Sequence, residues 1–519
     1  MRPVLTSAEM RAVDRAAEER GVPVEALMER AGHAVAGAAA ALLGGAYGRR
    51  VVALCGKGNN AGDAFVAARL LAAWGATPAV VAMAGPDELA RPTASNARRL
   101  EDVGVPALAW GSPAAARAIA RADLLVDGLF GSGLRGEPEG PYREAIETMN
   151  ASPAPVVAVD IPSGVEGDTG AVRGPAVRAA VTVTFAAPKV GVVLYPGADH
   201  AGNVEVADIG IPSDLIGSDL LMIEPSDVAA VLPRRAPNDH KHRSGDVLVV
   251  AGSRRMTGAA RLVAEGAARA GAGLVHVAVP EGILPIVQSG LAEAVFLPLP
   301  EGPEGSVAAS AWEVLEGRMD RFDAVAIGPG LSTEGETPGF VRALVRGSPV
   351  PVVADADAVN AFVERVGELG DRSSDLVLTP HTGEFGRLFG MPSADVLDDR
   401  VGFARKASAD TGAVVVLKGA RTLVALPGGE VRINPTGSAA LATGGTGDVL
   451  TGAIGTYLAR GLSPVDAATA AVYVHGLAGQ VVGRRMGEGG VAGDVALGIP
   501  AAAEALRGIG GIMTPEVSA

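Results

Sequence analysis

Apolar residues fall at two alternating spacings along this chain. Short runs at 50–55, 79–83, 124–126, 156–159 and 181–185, and again at 247–251, 274–279, 324–327, 352–354, 376–379, 414–417 and 422–425, are apolar almost throughout, as strands buried on both faces require. Longer stretches between them carry helical spacing. Thr6-Ser7-Ala8-Glu9 has capping-box form and is followed by Met10, Val13 and Ala17, which predicts a helix over 7–20; Val24, Leu27, Met28, Ala31 and Val35 predict a second over 23–43. Further helices are expected over 64–75, 258–270 and 449–458. Strand, loop and helix in repetition predict an α/β protein whose parallel sheets are covered on both faces, with ligands at the carboxyl ends of the strands.

The series runs twice. It ends near Ile209-Gly210-Ile211-Pro212 and resumes at Val247, and the polar, proline-punctuated stretch before Val247 reads as a connector. Two three-layer αβα domains are therefore expected, 1–212 and 243–519, joined by a linker over 213–242.

Candidate chemistry sits in the loops after the strands. In the first half these are Gly56-Lys57-Gly58-Asn59-Asn60-Ala61-Gly62-Asp63, Asp127 through Gly136, Asp160-Ile161-Pro162-Ser163-Gly164 and Ala187-Pro188-Lys189-Val190-Gly191. Several polar loops converging on one sheet edge mark a site better than any one of them. Lys189 either pairs with Asp160 or holds a substrate phosphate. In the second half the loops carry Gly328-Pro329-Gly330, Asp355-Ala356-Asp357, Thr379-Pro380-His381-Thr382-Gly383-Glu384 and Lys418-Gly419-Ala420-Arg421-Thr422. There the acids either cap loops or position a metal and its waters, and His381 either is buried or contacts a ligand.

Thr443-Gly444-Gly445-Thr446-Gly447-Asp448 feeds a helix start. Glycines let backbone N–H groups approach an anion, and the helix N-terminus adds partial positive charge. A carboxylate beside such a site is repelled by phosphate unless it takes up a proton or faces a metal. Asp448 thus reads either as a base aimed at a substrate hydroxyl or as a cap on its own helix. No Gly-x-x-x-x-Gly-Lys-Ser/Thr run is present, so the phosphate-binding work falls on this glycine loop.

Composition narrows the partners. A net charge of −14 over 519 residues, with no long basic run, argues against nucleic acid and for a small ligand held by local groups. Cys55 is the single cysteine, which excludes a disulfide framework and fits a reducing compartment. No signal-peptide core can be drawn near Met1, and the alanine-rich run at 34–43 is too short to span a bilayer, so a soluble cytoplasmic protein is expected. Lysine occurs only at positions 57, 189, 241, 406 and 418 while arginine is abundant, so a lysine kept in a motif is expected to be there for its compact ammonium. His240 and His242 are read as loop histidines and assigned no metal.

These motifs together resemble the NAD(P)H-hydrate repair enzymes. Residues 1–212 are similar to the epimerase domain, a Rossmann-like fold, and Arg243 to about Ile512 to the ADP-dependent dehydratase, a ribokinase-like fold in which Gly-Gly-Thr-Gly-Asp carries the anion hole and catalytic acid. The chain departs from the family pattern at Ala61 and Ala64, where glycine is usual, and at Ser132, where threonine is common. For the first domain the resemblance implies epimerisation at C6 of a hydrated nicotinamide ring. Asp160 would be the acid/base, with substrate contacts from Asn59, Asn60, Ala61, Gly62, Asp63, Gly131, Ser132, Gly133, Leu134, Arg135, Gly136 and Tyr142, and a K+ site at Asn60, Asp127 and Ser163. For the second it implies that Asp448 is catalytic, that Ala259, Gly330 and His381 contact the hydrated nucleotide, and that Lys418, Gly419, Ala420, Arg421, Thr422 and Gly447 hold ADP with Mg2+. Substrates would be NADHX, NADPHX and ADP, the products AMP and phosphate, and the assembly a homo-oligomer. A ribokinase-like small-molecule kinase carrying an N-terminal ligand-binding module is the competing reading.

Overall fold

The computed structural model describes residues 1–511 apart from Pro237, Asp239 and His240. It divides into two compact units, Pro3–Ser218 and Asp219–Ala519, with Met1 and Arg2 counted in the second. Each is a sheet flanked by helices.

The first unit holds a seven-stranded sheet in the order Ala107–Ala109, Thr77–Ala82, Arg50–Cys55, Leu124–Gly128, Val156–Val159, Val181–Phe185 and Asn203–Ala207. All six pairings are parallel. Alternate residues of the central strand supply two separate cores. Val51, Ala53 and Cys55 pack with helices Ser7–Glu19, Val24–Leu42 and Asn59–Ala73, while Val52 and Leu54 pack with helices Pro113–Ala120 and Gly140–Ala151. That alternation is why the run is apolar throughout. From Arg50–Cys55 the chain builds the sheet outward in one direction, then returns to its other side at Leu124–Gly128. The crevice where strand order reverses lies between those two strands, the place where such sheets bind ligands.

The second unit has an eleven-stranded sheet whose central strands, from Leu376–Leu378 through Val352–Ala354, Ala324–Ile327, Asp246–Val250 and Leu274–Pro280 to Val295–Leu299, are parallel. Its reversal lies between Asp246–Val250 and Ala324–Ile327. Helices Thr257–Ala270 and Thr446–Ala459 cross it in close contact because glycines face each other's backbone. A Cβ on Gly266 would lie 2.3 Å from the Val449 carbonyl, and one on Gly452 2.0 Å from the Val263 carbonyl.

Several expectations are corrected. The loop expected through Asp63 ends earlier: helix Asn59–Ala73 starts after Gly58, so Asn59 through Asp63 form its first turn. Helix Thr446–Ala459 likewise begins before Asp448. The second sheet is not wholly parallel, since Leu423–Ala425 runs antiparallel to both Val414–Leu417 and Val431–Ile433; a connection too short for a helical crossover leaves only that pairing. The stretch 213–242, expected as a linker, carries strand Leu220–Met222, parallel to Val431–Ile433, and helix Pro225–Val231, with Ile223 and Val228 in the second unit's core. His240 lies outside the described residues, as does the His242 side chain.

Candidate active sites

In the first unit, Asp160 follows directly on strand Val156–Val159 and adopts a left-handed backbone (φ 64°), uncommon for a residue with a side chain. Its carboxylate pairs with Lys189, whose Nζ is 2.7 Å away. Lys189 is almost fully buried and also donates to the Phe185 carbonyl (2.6 Å) and Thr184 Oγ1 (3.2 Å). Thr184 Oγ1 in turn lies 3.1 Å from Asp160 Oδ1. Of the two roles open to Lys189, the structure gives the pairing with Asp160. Asp63 is buried on the neighbouring helix, and burial, with the charges of Asp160 and Asp14, holds its carboxyl well above the usual carboxylate range.

A second polar knot lies beneath these groups. Asp127 is fully buried, and burial raises it to about 6 against hydrogen bonds from Ser163 Oγ (2.6 Å), Ser163 N (2.7 Å) and Leu129 N (3.2 Å). Ser163 Oγ accepts from Phe130 N at 2.9 Å. Asn60 Nδ2 donates to the carbonyls of Phe130 (2.7 Å) and Val159 (2.6 Å), and its Oδ1 faces Gly131 so closely that a Cβ there would lie at 2.7 Å. The three residues expected to hold K+ thus belong to one oxygen-rich network, in which every group bonded to Asp127 is neutral.

The remaining expected contacts are divided by their surroundings. Asn59 and Gly133 are exposed, whereas Ala61 is fully buried, and a Cβ on Gly62 would strike the Met28 side chain, so these two serve helix packing. Ser132 and Gly136 are fixed through their backbones, the first accepting from Ser7 Oγ (2.5 Å) and the second donating to Glu166 (3.2 Å). Arg135 pairs with Asp168 at 2.5 Å, and Leu134 N bonds back to Gly131. Tyr142 stacks on Phe130, ring centroids 4.7 Å apart.

In the second unit, Lys418 Nζ lies 2.5 Å from Asp355 Oδ1 and 3.8 Å from Glu384 Oε2, and Asp355 Oδ2 accepts from Thr451 Oγ1 at 2.7 Å. Burial opposes the Lys418 charge, but Asp355 and Glu384 outweigh it and raise its pKa. The glycine loop comes to the same place: a Cβ on Gly447 would lie 3.4 Å from Lys418 Nζ and 3.7 Å from Asp355 Oδ2. Asp448, half-buried at the helix start, is pushed up to about 7, chiefly by burial and then by Asp355, against the pull of Lys418. A capping carboxylate at an open helix start is expected to stay low; this one is poised near neutrality.

His381 caps helix Thr382–Phe389, Nδ1 accepting from Gly383 N (2.9 Å) and Glu384 N (3.3 Å), which leaves the ring hydrogen on Nε2, 3.3 Å from Glu384 Oε1. It bridges in parallel to Lys418. Gly330 abuts Ala259, whose Cβ would lie 2.9 Å from a Cβ built on the glycine. The loop Lys418 to Thr422 is supported from below by buried Arg400, which donates to the carbonyls of Ala420 (2.6 Å) and Arg421 (3.2 Å), while Arg421 reaches the Pro435 carbonyl (2.6 Å) and Thr422 Oγ1 the Gly419 carbonyl (2.9 Å).

Sequence reasoning missed three residues here. Arg400 lies on a helix with no local motif, and Thr451 one turn beyond the glycine motif, where nothing local marks it as a partner of Asp355. His475 is buried in helix Pro464–Met486 with Nε2 2.9 Å from the Thr446 carbonyl, and burial lowers it to about 4, so it is neutral and fixes the glycine loop. Its signal was only a lone histidine in an apolar helix.

Two αβα units, each with an ionisable cluster at the carboxyl ends of its strands, define an enzyme of the α/β class with two sites. Comparison with known proteins makes the assignment particular. A family model described as NAD(P)H-hydrate dehydratase matches residues 247–497, and one described as YjeF-related protein N-terminus matches 24–191. The bifunctional NAD(P)H-hydrate repair enzymes Nnr of Moorella thermoacetica and Thermofilum pendens are each 41% identical, over 95% and 96% of this chain and the same shares of their own. The crystal structure of the ADP/ATP-dependent NAD(P)H-hydrate dehydratase of Bacillus subtilis, co-crystallised with ATP/Mg2+, is 31% identical, with a TM-score of 0.50 over 56% of this chain and 100% of that one. The chain belongs to the family of bifunctional NAD(P)H-hydrate repair enzymes.

Proposed function

We propose that the first unit interconverts the R and S epimers of NAD(P)H hydrate through Asp160, and that the second dehydrates the S epimer to NAD(P)H at the expense of ADP through Asp448. The observation that carries the second half is the glycine loop beside both groups: a Cβ on Gly447 would lie 3.4 Å from Lys418 Nζ and one on Gly445 3.9 Å from Asp448 Oδ2, and the charges of Lys418 and Asp448 bear on each other. In that arrangement Asp448 takes the proton of the C6 hydroxyl, and the hydroxyl oxygen accepts the terminal phosphoryl group of ADP. The N1 lone pair then expels phosphate from C6, loss of a proton from C5 forms the C5=C6 bond of the reduced nicotinamide, and AMP remains. Hydroxide leaves poorly and phosphate well, which is why a nucleotide is consumed. The N–H groups of the glycine loop and the Lys418 ammonium oppose the negative charge on the transferring oxygens. An Asp448 pKa near 7 suits a base working near neutrality.

Mg2+ is read as arriving with the nucleotide. Among the described residues no three His, Cys, Asp or Glu side chains converge as an all-protein metal site, which fits an ion held largely by phosphates and water. It would offset phosphate charge when bound. Asn60, Asp127 and Ser163 fit K+, since a buried carboxylate with neutral partners gains from a hard monovalent cation beside it. That ion would fix the loops on either side of Asp160. We further infer a homo-oligomer in the cytoplasm; no helix among the described residues is long and apolar enough to cross a membrane.

The test mixes both epimers with ADP and Mg2+ and follows reduced-nicotinamide absorbance together with AMP. Complete recovery with equimolar AMP is expected. Asp160→Asn should stop recovery once the S epimer is used, and Asp448→Asn should stop it altogether; a stable phosphorylated product instead would favour a small-molecule kinase.

A further inference from the structure

One edge of the first unit's sheet comes apart at its amino end. Strand Thr77–Ala82 runs beside Arg50–Cys55 from Thr77 onward, whereas it meets Ala107–Ala109 only from Val80. Thr77 N donates to the Arg49 carbonyl and Val80 N to the Pro106 carbonyl, so the even-numbered residues of this strand face the edge strand. The preceding donor on that side belongs to residue 78, which is proline and has none. Pairing therefore stops at Val80. The chain at 103–106 diverges, and a cavity of about 480 Å3 opens, bounded by these strands and by helix Pro113–Ala120. That volume lies within the range of small-molecule pockets, about 300–1,000 Å3.

Its floor is apolar: buried Val52 and Val105 and half-buried Ala79 and Ala118 line it, and Val103 beside them is 47% exposed. Its rim is cationic. Arg50, Arg117 and Arg121 line the cavity, and no acid does. Asp123 holds Arg50 at 2.8 Å. Arg117 and Arg121, one helical turn apart and both exposed, make no hydrogen bond or ion pair among the described residues. Arginines at a helix end favour its last carbonyls, yet neither of these bonds to one. Two free guanidinium groups over an apolar floor, in a chain whose net charge is −14, call for a complement that is both anionic and apolar.

We propose that this cavity binds a small organic anion, a carboxylate or phosphate joined to an apolar body, with the body on Val52, Val105 and Ala118 and the charge at Arg117 and Arg121. Neither half suffices alone. An inorganic anion meets two exposed guanidinium groups and forfeits the floor, while a neutral apolar body leaves both cations without a partner. The site is separate from the epimerase centre. Strand Arg50–Cys55 starts at the cavity and ends at the loop before Asn59, so its six residues put roughly 20 Å between the two.

The experiment uses the full chain and anilinonaphthalene sulfonate, an anion on an aromatic body, titrated by its fluorescence. The dye should bind wild type, and Arg117→Gln combined with Arg121→Gln should weaken that binding by about tenfold or more. Ala118→Trp, which fills the floor, should weaken it as much. Arg318→Gln combined with Arg321→Gln, the same change of charge in the other unit, should leave it as in wild type. Neutral phenylnaphthylamine should bind about tenfold more weakly than the sulfonate. Naphthoate and naphthyl phosphate should compete with the dye, the tighter of the two identifying the headgroup. Epimerisation and dehydration at wild-type rates report that the variants are intact. Dye that ignores wild type, or that binds the Arg117/Arg121 and Ala118 variants as tightly as wild type, overturns the proposal. So do an equal loss in the Arg318/Arg321 variant, a neutral probe that binds as tightly as the anion, and competition by neither naphthyl anion.

Discussion

Asp448→Asn should make the protein more stable while removing dehydratase activity, and the size and pH dependence of the gain follow from where the carboxyl sits. Its pKa rises from 3.8 to about 7 in the folded protein. At about 1.36 kcal/mol per unit, the ionised form costs the fold at most about 4 kcal/mol. Two effects reduce this. Partial exposure lets solvent screen the charge, and a negative charge in the first helical turn is itself favourable by about 0.3–1 kcal/mol, which asparagine forfeits. A net gain on the order of 1–3 kcal/mol remains. Its sign with pH is fixed: a carboxyl with a raised folded pKa supports folding when protonated, and that support is lost as pH climbs from about 4 through 7. The advantage of asparagine should therefore be absent at pH 4, grow to pH 7 and stay level above it. Denaturant melts of wild type and variant at pH 4.5, 6 and 8 read this directly, and the same samples should show dehydration reduced by roughly two to four orders of magnitude. A variant no more stable than wild type at pH 8 would mean that the carboxyl is well solvated or capped, and the argument for a poised base would fail.

Three further outcomes are expected. Lys418→Met strands Asp355 and Glu384 without their ammonium, so dehydration should be lost and the second unit weakened by about 3–5 kcal/mol, measured by chemical denaturation. Gly452→Ala offers about 1 kcal/mol of helix propensity but places a methyl 2.0 Å from the Val263 carbonyl, so thermal melts should show a net loss of about 1–3 kcal/mol. Replacing K+ by a large organic cation at constant ionic strength should slow epimerisation and leave dehydration of the S epimer unchanged; equal epimerase rates in both salts would remove K+ from the reading of Asn60, Asp127 and Ser163.

What the sequence conveys depends on how local its cause is. Strands Val156–Val159, Ala324–Ile327 and Val414–Leu417 lie where their apolar runs predict, because a strand buried on both faces has no polar alternation to confuse it. Ala107–Ala109, Asn203–Ala207, Val295–Leu299 and Leu220–Met222 lie near sheet edges, are short or half-exposed, and owe their existence to a neighbouring strand. The glycine loop, Lys418 and Asp160 announced themselves by composition at strand ends. The Asp160–Lys189 pair was legible only as one of two roles for Lys189, and the Asp355–Lys418 pair not at all, since each joins residues from different strand ends. Scarce lysine was nevertheless a usable sign: both of these ion-paired ammonium groups are among the few that the chain keeps.

Strand Leu220–Met222 also decides where this chain can be divided. It covers the flank of Val431–Ile433, so a fragment beginning at residue 243 would leave that strand's N–H and C=O groups bare and ready to recruit another chain. A dehydratase half meant to remain dispersed in solution has to start no later than Asp219, ahead of the apparent seam.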